Sequence, residues 1–539
     1  MATHTQWLLI GGSLAYAVWS LLSVPWWTVD DAYILFRYAQ HWVTIGIPTW
    51  NPGEPPVEGY TGTLYVALLA VGHAVGLPFE ALAKGIGLTA YALCGAVTWF
   101  LLRELGVQPA IRVLSIVLYY TAAFLFVHAL SGLETTLFLF LLTASTWLAV
   151  RTVLSPSSAN LLKTILALVL LALTRPEGLL FSMALLVAIF VSTRAPGSAT
   201  AQRTSSSLRW SRLAWGSLLF ALPVVAMTLW RWHLYGELLP NTYYAKQAGG
   251  IVIGSMLSFL EFALQYWAVP GMIALLLGVG EWEQWTARLR THYRQLMPLG
   301  IALGAAVAVL IAEYARSSLQ MNYAHRFWAP LYVLGLCGAA VGAEHGLRTL
   351  QETTDSHPLR LQRLQQIALV LMLLQLTIHG GLWRWQERKF VRDYWQLLNE
   401  EHAEAAQFLQ HLLPPTATVV IYPDAGLIPF RTGFRTIDGG RLNDRFLARH
   451  HWSGSLRDTA ILNYLFSQQP AAFVFKSRRE DRPLLNAELS AIVNDQRFST
   501  YRLAASFRTR ARRFAESYFL LVYVHQRYLP LMLPTVPGL

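Results

Sequence analysis

Two adjacent carboxylates head the segment Val29-Asp30-Asp31-Ala32-Tyr33-Ile34-Leu35-Phe36-Arg37-Tyr38-Ala39. In partly dry surroundings they repel each other and lose hydration, which raises one pKa towards the range of a general base for a hydroxyl. If the segment is helical, Asp30, Ile34 and Arg37 share a face and Asp31 is offset by about 100°. One carboxylate then faces a substrate, with Asp30 the first choice and Asp31 the second. The ordinary alternative is that Asp30 caps the helix and Asp31 favours the same dipole end. Residues 46–61 follow with four prolines and three glycines that fix the turns. There Trp50 and Tyr60 offer rings, and Glu54 and Glu58 offer hydroxyl acceptors, which suits sugars; a rigid interfacial loop with an aromatic belt is the bland counterpart.

Isolated cations form a second group. Arg175 lies in Leu173-Thr174-Arg175-Pro176-Glu177-Gly178, and Lys246 ends Pro240-Asn241-Thr242-Tyr243-Tyr244-Ala245-Lys246. His325 and Arg326 lie in Tyr323-Ala324-His325-Arg326-Phe327. Arg grips phosphate oxygens bidentately and Lys supplies a point charge, so the set suits a lipid phosphate as it departs. Cations snorkelling to phospholipid headgroups would occupy similar positions, and for Arg231 and Arg316 that account is preferred. Glu134 and Glu177 stand at helix starts, where capping explains them. Asn241, Tyr244, Asp424, Asp438 and Asp444 complete the candidates for substrate contact, although a turn-forming Asp is the plainer account of the last three.

DDAYILFRYAQ, followed by WNPGE and VEGYTGTLY, resembles the first-loop signature of the GT-C superfamily of integral-membrane glycosyltransferases. The closest likeness is to the branch containing mycobacterial terminal arabinofuranosyltransferases. The segments around Arg175, Lys246 and Arg326 extend it, as do Asp424-Ala425-Gly426-Leu427-Ile428-Pro429-Phe430 and Ile437-Asp438-Gly439-Gly440-Arg441-Leu442-Asn443-Asp444. The resemblance covers about 30–450. It implies an inverting enzyme with a polyprenyl-phosphate sugar donor and an acidic active-site motif in the first outer loop. The acceptor would be a cell-envelope glycan or glycolipid. No cofactor is required, although a divalent cation could bridge Asp30 or Asp31 to the donor phosphate. The alternative is a transporter or flippase of a lipid-linked glycan, which usually places ionisable groups near mid-membrane and often carries inverted repeats.

The elements that must position these residues follow from composition. Of 539 residues 54% are hydrophobic and 13% charged, about half the charged share of soluble domains, so a purely cytosolic globular chain is excluded and a polytopic α-helical membrane protein is expected. Apolar runs of spanning length fall at about 7–25, 81–102, 111–129, 135–150, 161–174, 178–193, 213–232, 255–280, 297–314, 327–345 and 365–383. The run 61–77 is ambiguous. If it lies along the membrane face, Arg103, Arg112, Arg151, Lys163, Arg194, Arg203, Arg209, Arg212, Arg288, Arg290, Arg294, Arg348, Arg360 and Arg363 all share one side, which the positive-inside rule makes cytoplasmic. That gives eleven spans in 1–383, a first outer loop at about 26–80, and an extracytoplasmic α/β domain over 384–539.

In that domain 393–413 reads as an amphipathic helix, and strands are expected at 417–422, 472–476 and 518–525, with helical stretches near 459–466 and 482–493. The 21 basic and 14 acidic residues from Arg384 onward lack the basic stripe with interleaved aromatics that nucleic acid needs. The expected location is the inner membrane of the cell envelope, with the lipid bilayer as a partner. Neither a G-x-G-x-x-G unit, nor a Walker-A sequence, nor a zinc-type Cys/His cluster occurs.

Overall fold

A computed structural model describes residues 3–193, 210–246, 250–278, 282–317, 319, 321–353, 358–450, 459–484, 486–514 and 518–529. Arg194, Arg203 and Arg209 lie outside them. The chain begins with α1 (Thr3–Leu22), α2 (Asp30–Ile45), α3 (Thr63–Ala74), α4 (Phe79–Glu104), α5 (Pro109–Thr121), α6 (Ala123–Leu130) and α7 (Thr135–Leu154). Then come α8 (Ser158–Thr174), α9 (Pro176–Ser192), α10 (Trp210–Tyr235), α11 (Asn241–Lys246), α12 (Ile253–Tyr266), α13 (Ala268–Gly278), α14 (Trp282–His292) and α15 (Met297–Ala315). The bundle closes with α16 (Tyr332–Thr353) and α17 (Pro358–Leu382).

Six described helices are long and apolar enough to cross a membrane, and two bent pairs, α5–α6 at 54° and α12–α13 at 60°, bring the number to eight. The chain is a multi-pass membrane protein. The expected eleven included α8 and α9, which have 17 residues each and extend only about 26 Å at 1.5 Å per residue. It also included α16, which carries Glu344, His345 and Arg348. The ambiguous run forms α3, whose 12 residues reach about 18 Å, well short of a ~30 Å hydrocarbon core.

From α17 the helix runs on through two π-helical segments, Trp383–Glu387 and Leu398–His402, into α18 (Arg388–Leu397) and α19 (Ala403–Leu412). It thus carries the chain out of the bundle as one continuous helix, and a short turn over 413–417 leads into a mixed five-stranded sheet. The strands are β1 (Thr418–Tyr422), β2 (Arg435–Asp438), β3 (Ala472–Ser477), β4 (Tyr501–Phe507) and β5 (Phe519–His525), in the order β2-β1-β3-β5-β4. β1 pairs in parallel with β2 and β3, while β5 pairs antiparallel with β3 and β4. Helices α20 (Leu427–Thr432), α21 (Arg445–Arg449), α22 (Thr459–Ser467) and α23 (Ala487–Val493) complete the domain. The expected strands are β1, β3 and β5, whose apolar runs are buried on both faces. β2 has only four residues, Arg-Thr-Ile-Asp, and β4 is an outer strand with exposed Arg502 and Leu503.

The domain sits on α2 through side chains that seek its backbone. Asp30 accepts the Leu427 N–H at 2.8 Å. Arg37, 1% exposed, donates from Nε to the Trp50 carbonyl at 2.8 Å, from Nη1 to that of Pro429 at 2.5 Å and from Nη2 to that of Phe434 at 2.9 Å. The first loop then covers the open edge of β2. Thr436 N–H donates to Asn51 Oδ1 at 3.0 Å, and its carbonyl accepts from Trp50 Nε1 at 2.9 Å. These side chains stand where another strand would otherwise pair. At the closest approach, a Cβ on Gly426 would lie 2.0 Å from the Asp30 carbonyl oxygen.

Two outcomes follow. Arg37→Met strands buried carbonyls at about 1–3 kcal/mol each, so the melting temperature in detergent drops by several degrees. Gly426→Ala forces α2 and the domain apart, and limited proteolysis then cuts between β1 and α20, where the wild type resists.

Candidate active site at the domain-bearing end of the bundle

Successive helices bring together at one end the motifs that are scattered along the chain. Asp31 is one residue beyond Asp30, so α2 turns its carboxylate about 100° away from the domain contact. There it pairs with Arg326 Nη1 at 3.4 Å. Arg326 Nη2 and Arg175 Nε each lie 3.8 Å from Glu134 Oε1. Arg175 Nη2 donates to Glu177 Oε1 at 3.1 Å, and the same carboxylate accepts the Tyr314 hydroxyl. Glu134 and Glu177 thus do more than the capping expected of them: Glu134 makes no side-chain cap and instead joins two guanidiniums. Nε and Nη1 of Arg175 and Nε of Arg326 are buried without a hydrogen-bond acceptor among the described residues. Lys246, at the end of α11, has no hydrogen-bond or ion-pair partner among them and lies 5.9 Å from the centre of the Phe327 ring. Unsatisfied buried donors are costly unless a ligand completes them.

Two cavities meet at Lys246. The first, about 650 Å³, lies between α9 and α15, with Arg175, Glu177 and Lys246 above and Leu180, Val309 and Leu310 below. The second, about 470 Å³, is walled by Asp31 and Ile34 of α2 and by Asp424 and Asp438 of the domain. Asp424 follows β1 and Asp438 ends β2, so this cavity opens at the carboxyl ends of two parallel strands, the usual ligand position in such sheets.

Burial raises the Asp31 pKa, with Arg326 and Lys246 pulling the other way. Burial likewise raises that of Asp30 well above the carboxylate range, helped by the Asp424 charge. Burial lowers the pKa of Lys246, and the nearby Arg326 adds to this. Asp438 is pushed up to about 7 by burial, against hydrogen bonds from Gly440 N, Asn443 N and Asn443 Nδ2 at 2.7, 3.0 and 2.8 Å.

Several expected substrate contacts are structural instead. Arg37 and Trp50 clamp the domain, as above, and Trp50 is only 2% exposed. Glu54 pairs with Arg435 at 2.5 Å. Glu58 pairs with Arg231 at 2.6 Å, so Arg231 is held inside rather than snorkelling. Tyr60 is buried with its hydroxyl 3.0 Å from that of Tyr235. Asn241 Nδ2 donates to the carbonyls of Arg441, Leu442 and Asp444. Tyr244 lies under Arg449, 4.4 Å from its ring centre. Asp444 caps α21, accepting Leu447 N–H at 2.8 Å. His325 turns away from the cations and bonds Gln265 Oε1 at 2.9 Å. Most of them meet partners far along the chain, 60 residues away for His325 and 381 for Glu54.

Asp30 accepts a backbone N–H, and Asp31 is paired with Arg326. Among the described residues no three His, Cys, Asp or Glu side chains are grouped to hold a metal ion.

Residues 389–523 match a family described as a domain of unknown function, DUF8728. No curated protein matches the chain. The fold is similar to that of ArnT from Cupriavidus metallidurans bound to undecaprenyl phosphate, with TM-score 0.57, 14% identity, and 97% of this chain and 98% of that one covered. It is also similar to the Archaeoglobus fulgidus oligosaccharyltransferase tethered to an acceptor peptide, with TM-score 0.51, 12% identity, and 98% and 75% covered. The mycobacterial arabinofuranosyltransferase AftD matches at TM-score 0.49 and 14% identity, with 96% and 40% covered. At 12–14% identity the likeness to the first two is one of fold.

Proposed function

We propose that the chain is an inverting glycosyltransferase that moves a sugar from a polyprenyl-phosphate donor to a cell-envelope glycan or glycolipid, at the outer face of the cytoplasmic membrane. Residues 1–383 form the membrane module and 384–539 an extracytoplasmic domain that presents the acceptor. The observation that carries this reading is Lys246, shared by an amphipathic cavity and a carboxylate-lined one. The first suits a phosphate with a prenyl tail lying between α9 and α15; the second suits an acceptor.

Asp31 takes the base role in preference to Asp30, because it lines the acceptor cavity while Asp30 holds the Leu427 N–H. An acceptor hydroxyl gives its proton to Asp31, and its oxygen attacks the anomeric carbon. The bond from that carbon to the phosphate oxygen breaks, and polyprenyl phosphate leaves with the electron pair. Lys246 and the free N–H groups of Arg326 and Arg175 meet the growing charge, positioned before the reaction rather than reorganised during it. Glu134 fixes the spacing of the two guanidiniums. Arginine-to-phosphate bonds would replace the 3.4 Å contact between Arg326 and Asp31, leaving Asp31 a stronger base once donor is bound.

Asp31→Asn should cut transfer from a polyprenyl-phosphate sugar by about 10²–10⁴-fold, the usual share of a general base, with expression unchanged. Full turnover in that variant, or movement of unaltered lipid in place of product, removes the mechanism. The pH profile gives a second check. Asp31 must be unprotonated, and its raised pKa places the acid limb above the ordinary carboxylate range. Lys246 must be protonated, and its lowered pKa places the alkaline limb below the ordinary lysine range. The bell is therefore narrowed from both sides, and Lys246→Met should abolish its alkaline limb and raise KM for the donor.

A further inference from the structure

The two cavities that share Lys246 differ in charge. On the lipid side Arg175, Lys246 and Arg316 face Glu177 and Glu313. On the domain side the lining holds four carboxylates, Asp31, Asp424, Asp438 and Glu488, and two cations, Lys246 and Arg441; Arg441 is held by Glu488 at 2.5 Å, and from behind the lining Arg326 pairs with Asp31 at 3.4 Å and Lys476 lies 4.0 Å from Asp424. The groups that face the space thus change across Lys246, from mostly hydrogen-bond donors to mostly acceptors.

We infer that the group bound in the domain-side cavity is an uncharged polyhydroxylated sugar, and that a phosphorylated or carboxylated sugar is rejected there. This rests on the transferase reading above and specifies its acceptor. A carboxylate without its proton only accepts hydrogen bonds, so at Asp424, and at Asp31 in its basic form, the ligand must donate. Sugar hydroxyls donate; a phosphate dianion does not, and it meets like charge in a poorly screened space. Asp424 is oriented for this task. Its Oδ2 receives the Tyr518 hydroxyl and faces Lys476 Nζ at 4.0 Å, while Oδ1 accepts nothing from the described residues. Asp438 is held rigidly in the wall by Gly440 and Asn443. Ile34, Met321 and Leu442 add apolar patches for the C–H face of a sugar ring. The volume, about 470 Å³, is within the range of small-molecule sites. Opposite linings for donor and acceptor also keep the acceptor out of the phosphate site, so part of the specificity comes from repulsion.

The test uses the full chain in lipid nanodiscs at fixed ionic strength, with undecaprenyl phosphate at saturation to occupy the cationic cavity. Thermal unfolding is followed while neutral methyl glycosides and the matching sugar 6-phosphates are titrated in. The neutral sugars should bind at least tenfold more tightly, and Asp424→Lys should reduce or invert that ratio. If Asp424→Lys does not fold, Asp424→Asn should still reduce it at least threefold. Equal or tighter binding of the phosphates, an unchanged ratio in the variants, or no stabilisation by any neutral sugar overturns the inference. Undecaprenyl phosphate titrated alone separates the two ideas. If it gives no stabilisation that Lys246→Met weakens, the transferase reading fails whatever the sugars do. If it does while sugar phosphates bind freely, only the acceptor assignment fails.

Discussion

Helix α2 is gripped on one side and left open on the other, and the site depends on that division. Asp30 and Arg37, seven residues apart, share the gripped face, and both are satisfied by backbone groups of residues 427–434. Because these partners are main-chain atoms, the helix and the domain are fixed in register as well as in contact. The offset of about 100° between neighbouring helical residues then aims Asp31 into the space that this docking encloses. Without the domain there would be no second cavity, and Asp31 would face open surroundings.

Burying this much charge near lipid requires compensation. Glu134 and Glu177 meet Arg175 and Arg326, and Asp31 meets Arg326, so the carboxylates are paired while several guanidinium N–H groups and Lys246 are not. The surplus is therefore of hydrogen-bond donors rather than of charge. A buried pair or triad of this kind is weak evidence for stability. Its value lies in holding Arg175 and Arg326 on one carboxylate, Glu134, beside the cavity that Arg175 and Lys246 line.

The first loop shows how residue type alone can mislead about role. Trp50, Glu54, Glu58 and Tyr60 have the composition of a sugar-binding surface, yet they seal the edge of β2 and lock onto α10 through Arg231 and Tyr235. Nothing local distinguishes a Trp that stacks on a sugar from one whose indole N–H meets a strand carbonyl. The partners, Thr436 and Arg231, lie 386 and 173 residues away. An edge strand of four residues that reads Arg-Thr-Ile-Asp gives no sign that it needs covering.

The amino-acid sequence by itself determined the membrane bundle, the C-terminal sheet region and the three double-buried strands. These rest on hydrophobic periodicity and helix length, which are local quantities. It also identified Asp30, Asp31, Arg175, Lys246 and Arg326 as residues of chemical interest, and the helical offset already required that only one of the two aspartates face a substrate. Which one lines the domain-side cavity, the gathering of the cations around Glu134, the turning of His325 towards Gln265, and the existence of two cavities were decided only by tertiary structure. Charges find partners through space, and a carboxylate's neighbours, unlike its helical phase, are not written next to it in the chain.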